Sequence, residues 1–92
     1  MSAPQFTPGP WYGDGREDKA LLLVYTERGR DICFVPEDGA EDQANAHLIA
    51  AAPDLYEALD QILWSFGSDI RDYDADLHTL AYAALAKARG EQ

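Results

Sequence analysis

Cysteine is nearly absent from this 92-residue chain, with Cys33 standing alone. A single thiol forms no internal disulfide and no cysteine-based zinc cluster. Its setting, Asp31-Ile32-Cys33-Phe34-Val35, reads as a strand holding a buried thiol rather than a nucleophile. Basic side chains are scarce as well, seven against seventeen acids, for a net charge of −10 and a pI near 4.3. Such a body repels duplex nucleic acid and anionic membranes, so the expected partners are basic proteins. Long apolar runs are also lacking. The longest, Ala20 to Tyr25, is far below the roughly 20 residues that span a bilayer. The first residues, Met1-Ser2-Ala3-Pro4-Gln5-Phe6, carry neither the basic start nor the apolar run of a secretory signal, and the expectation is a cytoplasmic protein.

Recognisable chemistry is missing too. His47 and His78 are the only imidazoles, and neither belongs to an H-x-x-x-H or H-E-x-x-H pair that would bind zinc. Asp72-Tyr73-Asp74-Ala75-Asp76 begins like a calcium loop. The sixth position, where the turn needs glycine, is Leu77, and the twelfth, where a bidentate glutamate belongs, is Ala83. Acidic residues capping a helix N-terminus account for these aspartates more economically. No G-x-S-x-G and no phosphate-binding glycine loop occurs, and Ser2, Ser65 and Ser68 have no evident base nearby in sequence. The sequence therefore predicts no catalytic, metal or cofactor residues and no enzyme. An enzymatic reading would need a pocket uniting His47 or His78 with a carboxylate.

What the chain does have is a core. It is 47% hydrophobic with ten aromatics, enough for one folded domain over residues 1–92 but not for two. A globule of this length has a radius of gyration of about 12 Å, which leaves little room for a deep enclosed site. Three of the five prolines fall in residues 1–10, an extended arm. Trp11 and Tyr12 then pin the arm to the body, and Gly13-Asp14-Gly15 reads as a turn. Two short apolar runs, Ala20 to Thr26 and Asp31 to Val35, form a β-hairpin over about 20–35, with Gly29 supplying a positive φ in the Glu27-Arg28-Gly29-Arg30 turn. Three helices follow. The first covers about 41–52. The second, about 53–66, starts at Pro53, carries an apolar stripe from Leu55 to Phe66, and ends at Gly67-Ser68. The third runs over about 74–89, with Lys87 and Arg89 suiting its C-terminal dipole and Gly90 closing it. Tyr56, Trp64, Tyr73 and Tyr82 are expected mostly in the core, with Trp64 nearest an edge. The arrangement is α+β, a small sheet packed on C-terminal helices.

The acidity is regional. Residues 37–76 hold eleven acids and only Arg71 as a base, so this middle segment carries the whole excess. Asp54, Glu57 and Asp60 recur every three residues and are expected to form a column of carboxylates on the second helix. They stand alone as a solvated, solubilising face, or they join Glu37, Asp38, Glu41 and Asp42 before them and Asp69, Asp72, Asp74 and Asp76 after them. In the second case one surface would present a pattern that a nucleic-acid-binding protein reads as phosphates.

Two segments carry a resemblance. Thr7-Pro8-Gly9-Pro10-Trp11, and Asn45-Ala46-His47-Leu48-Ile49-Ala50-Ala51-Ala52-Pro53 with the Asp54-to-Leu59 stretch after it, resemble a large group of small phage and prophage proteins. With the hairpin between them they cover more than half of the chain. The resemblance implies an origin in a mobile element, and small acidic proteins from that source include anti-CRISPR inhibitors that occupy a nucleic-acid-binding groove. On this reading the partner is a basic host protein, such as a subunit of a CRISPR effector. The acids from Glu37 to Asp76 would steer and contact it, with Trp64 or Tyr73 as the aromatic anchor. The alternative is a structural or regulatory phage protein whose helices form a homodimer, its acidity serving solubility.

Overall fold

The computed structural model describes residues 5–15, 21–36 and 40–91. Three strands, β1 (Trp11–Gly15), β2 (Leu21–Thr26) and β3 (Asp31–Pro36), precede two helices, α1 (Ala40–Tyr73) and α2 (Ala75–Ala88). The protein is thus α+β, as expected, with two helices among the described residues in place of three. By its contacts the chain divides into two compact units. Pro8–Asp54 holds the sheet and the first part of α1. Met1–Thr7 with Leu55–Gln92 holds the rest of α1 and α2.

In the first unit the strands form an antiparallel sheet in the order β1-β2-β3. The expected hairpin is β2 and β3. Thr26 and Arg30 close its loop, the Thr26 amide donating to the Arg30 carbonyl at 2.8 Å and the Thr26 hydroxyl accepting from the Arg30 amide at 3.1 Å. Gly29 takes φ +86° there, a conformation that would strain a side chain. Strand β1 departs from expectation, because Gly13-Asp14-Gly15 reads as a turn when taken alone. Its tertiary role explains the glycine. A Cβ at Gly13 would lie 3.2 Å from the Ala46 carbonyl oxygen and 3.4 Å from the Ala50 Cβ, so the bare backbone is what lets β1 approach α1. Val24, paired with Gly13 on one side and Cys33 on the other, is fully buried. Val35 and Ala46 form the adjoining core with Cys33 and Ile49 packed against it, and the Cys33 thiol is half-buried. Elsewhere in the sheet the rings of Tyr12 and Tyr25 pair across β1 and β2 at 5.8 Å, and Phe34 is exposed.

Pro53 and Gly67 both lie inside α1 and do not delimit it, which corrects the expected boundaries at 52/53 and 66. A proline inside a helix forfeits a hydrogen bond and crowds the preceding turn, at a cost of about 3 kcal/mol. Here its ring is buried, and a Cβ on Gly9 would sit 3.0 Å from both its Cβ and its Cγ. The ring is thereby packed against Gly9 of the Pro-Gly-Pro segment, a contact that a proline on the helix surface would not have. Gly67 is buried as well, at a place where an added methyl would come within 3.7 Å of the Tyr82 hydroxyl. The last expected helix is present. Asp74 leaves helical geometry and caps α2, its Oδ1 accepting from the Leu77 amide at 3.1 Å. At the other end Gly90 adopts φ +80°, and the Glu91 amide returns to the Ala86 carbonyl at 2.8 Å. No helix among the described residues is long and apolar enough to cross a membrane.

Candidate functional site

The acidic residues of α1 and α2 fall into several settings. Glu37 and Asp38 lie outside the described residues. Glu41 and Asp42 occupy the first turn of α1, where the helix dipole favours them. Asp54, Glu57, Asp69, Asp72, Asp74 and Asp76 are exposed, and Asp60 is half-buried. Asp74 is committed to the α2 cap and Asp76 to its first turn. Glu57 Oε1 accepts from the Gln61 side-chain nitrogen Nε2 at 3.2 Å. Among the described residues, Asp54, Asp69, Asp72 and Asp76 enter no ion pair, whereas Glu91 pairs with Arg89. The expected column is not straight. Each three-residue step turns about 60° backward around a helix, so Asp54, Glu57 and Asp60 wind around α1, with Asp60 at the inner end of the turn.

Asp60 lies in the wall of an open groove of about 330 Å³ in the second unit. Tyr56, Asp60, Leu63 and Trp64 come from α1, Tyr82 and Leu85 from α2, and Arg89 and Glu91 from the segment after it. The one-residue break at Asp74 reverses the chain, so residues near the middle of α1 meet those at the end of α2. Leu63 and Leu85 are buried and form the floor. Above them Arg89 donates from Nε to Glu91 Oε2 at 2.9 Å and from a terminal nitrogen to the Tyr56 hydroxyl at 3.1 Å. The hydrogen bond to Glu91, then that to Tyr56, raises the guanidinium further above its already high pKa, so its charge is permanent. On its far side the Tyr56 ring meets Phe6 edge-on, centroids 5.0 Å apart.

Trp64 stands at the rim of this groove, 72% exposed. The aromatics are therefore not mainly core. Tyr73 is 88% exposed, Tyr82 is exposed with His78 against its ring at 4.6 Å, and Tyr56 is half-buried. The reason is that two helices have only one shared seam, which Leu63, Gly67 and Leu85 already fill. Trp64 and Asp60 are thus brought together, while Tyr73 lies at the end of α1, away from the groove lining. Tyr56, Tyr82, Arg89 and Glu91 join the site without having been expected in it. The signal for them is the antiparallel reversal at Asp74, which sets the start of one helix segment beside the end of the other.

Chemically the groove offers aromatic faces and two carboxylates around one fixed guanidinium. Neither histidine lines it. His47 is exposed on the first part of α1, and among the described residues no cluster of three histidine, cysteine or acidic side chains could hold a metal ion. An exposed tryptophan beside a half-buried carboxylate suits an arriving lysine or arginine, whose charge would lie over the ring and against Asp60.

No curated protein and no solved structure matches the chain. A family model does, and it matches from the first residue to the last. Over residues 1–92 the sequence fits the family described as Salmonella phage P22 protein Y8K6, and the protein belongs to that phage family.

Proposed function

We propose that this phage protein performs no chemistry of its own and acts by docking on a basic, nucleic-acid-binding host protein, from which it excludes the nucleic acid. The observation that supports this reading is the set of exposed, unpaired carboxylates Asp54, Asp69, Asp72 and Asp76 on a chain of net charge −10. Unpaired charges of one sign sum to a field that draws a basic surface over a Debye length of about 8 Å at physiological salt. Trp64 and Asp60 then give the encounter a point of short-range contact. Glu41, Asp42, Glu57 and Asp74 contribute to the field as well, although part of the charge of Glu41, Asp42 and Asp74 serves the helix termini. In its narrower form the partner is a DNA-binding subunit of a bacterial defence complex such as a CRISPR effector.

Two measurements test the proposal. Immobilised protein is exposed to host lysate, and the bound fraction is eluted with duplex DNA or with salt. Release of nucleic-acid-binding proteins by both is expected, and retention of nothing that DNA displaces sinks the reading. For the narrower form, cells carrying an active CRISPR system are transformed with a targeted plasmid while expressing this chain. Recovered transformation supports it, and continued plasmid loss across the systems tried removes it.

A further inference from the structure

One side of the helical hairpin is apolar, exposed and unaccounted for by the groove. Ile62 and Phe66 immediately precede the buried Leu63 and Gly67, so they stand about 100° to one side of the α1–α2 seam, whereas Trp64 and the groove stand to the other. Leu55 continues their row one heptad before Ile62. On α2, Ala84 likewise precedes the buried Leu85, and Leu77 and Leu80 share its side. Because the helices run antiparallel, two rows offset in the same sense emerge on the same side of the hairpin. Leu55, Ile62, Phe66, Leu77 and Leu80 are each 48–66% exposed there.

We infer that this side binds a second copy of the chain, the two hairpins packing face to face and antiparallel as a four-helix bundle. Area is the first argument. The five side chains with their flanking alanines present on the order of 500 Å², near the upper end of what a monomer leaves exposed and most of the roughly 800 Å² per partner of a standard interface. Charge is the second. Two chains of net charge −10 repel each other, and this is the side from which the acids are nearly absent. Asp69 borders it on α1, and Lys87 borders it on α2.

Self-complementarity is the third argument. The contact of Arg89 with Tyr56 places the end of α2 level with the start of this stretch of α1, so Lys87 stands near the level of Leu59. A two-fold axis passing between Ile62 and Phe66 sets Ile62 against Phe66 of the second copy and Leu55 against its Tyr73. It also brings Asp69 to the level of Lys87 of the second copy. A basic partner would instead seek the carboxylates, of which only Asp69 borders the apolar side, so the proposed docking and the self-association share that one residue at their edge.

Sedimentation equilibrium of the full chain, from about 1 to 100 μM and at low and high salt, tests this. A species of about 20 kDa, twice the 10.2 kDa chain, is expected, and it should tighten with salt as repulsion between the copies is screened. Ile62→Lys with Leu80→Lys should weaken association by about 100-fold or more while leaving the circular dichroism helix signal unchanged. Should that variant lose its helix signal, the charge swap decides: Asp69→Lys alone weakens the dimer, and Asp69→Lys with Lys87→Asp restores it. A chain that stays monomeric at 100 μM, a dimer indifferent to both sets of substitutions, or one that salt dissociates overturns the inference. Docking on a basic partner weakens with salt, so the two proposals fail separately.

Discussion

Arg89 crosses from the end of α2 to the Tyr56 hydroxyl at 3.1 Å, while the same guanidinium is held by Glu91 at 2.9 Å. These contacts tie the tail of the helical hairpin to the middle of α1 and leave the Trp64 and Asp60 side of the groove open. Tyr56→Phe keeps the ring on Phe6 and deletes only the acceptor. We expect it to accelerate amide hydrogen exchange across the last turn of α2 more than elsewhere in the helix. Arg89→Ala, which also releases Glu91, should act in the same direction and at least as strongly, and adding Tyr56→Phe to it should do little more, since their shared contact is already gone. Exchange rates in that turn equal to the parent protein's would show that the contact restrains nothing.

Gly13 and Gly67 differ in what an added methyl meets, and their alanine variants should move stability in opposite directions. At Gly13 the methyl would press on the Ala46 carbonyl at 3.2 Å, and a backbone oxygen has nowhere to retreat. Gly13→Ala should lower stability by about 1–3 kcal/mol. At Gly67 the nearest atom is the Tyr82 hydroxyl at an ordinary 3.7 Å, and α1 gains a better helix former. Gly67→Ala should stabilise by about 0.5–1 kcal/mol. Urea titration of both variants reads the two signs directly.

Asp74 has a local task. Its carboxylate satisfies the Leu77 amide at the start of α2. Asp74→Ala should cost about 1 kcal/mol, which lowers the melting temperature of a chain this size by about 4–8 °C. Asp74→Ser, which still caps, should recover most of that. Asp72→Ala, outside the cap, should lose much less, and an equal loss at both positions would mean that general charge and not capping is at work.

These positions also divide what is legible in the sequence from what is not. The β2–β3 hairpin with Gly29 in its turn, the cap at Asp74 and the close at Gly90 are local, since each depends on residues within a few places of itself. Gly13 and Pro53 mislead because each serves a contact with a segment remote in sequence, Ala46 and Ala50 for Gly13 and Gly9 for Pro53, whereas Gly67 is a glycine that a continuous helix simply carries. A glycine that marks a turn and one that admits a neighbouring backbone look alike until the neighbour is known. The same limit applies to the site. Trp64 and the acids can be named from the sequence, but that Asp60 shares a groove with Trp64, Arg89 and Tyr82 depends on the reversal at Asp74.

The unpaired acids give the sharpest separation between folding and binding. Asp54, Asp69 and Asp72 are exposed and form no ion pair among the described residues, so converting all three to asparagine removes mutual repulsion and breaks no contact within the chain. Stability should change by less than about 0.5 kcal/mol per site, with the helix signal intact. Affinity for a basic, nucleic-acid-binding partner should nevertheless fall, and the decline should lie mainly in the association rate, because these charges steer the encounter. The dependence of that rate on salt should flatten in the same variant. Trp64→Ala, by contrast, deletes a contact at the groove rim, so it should raise the dissociation rate and leave the salt dependence as it was. Stopped-flow mixing at several ionic strengths distinguishes the two behaviours. If the triple variant associates as fast as the parent protein, with the same response to salt, the carboxylates serve solubility alone.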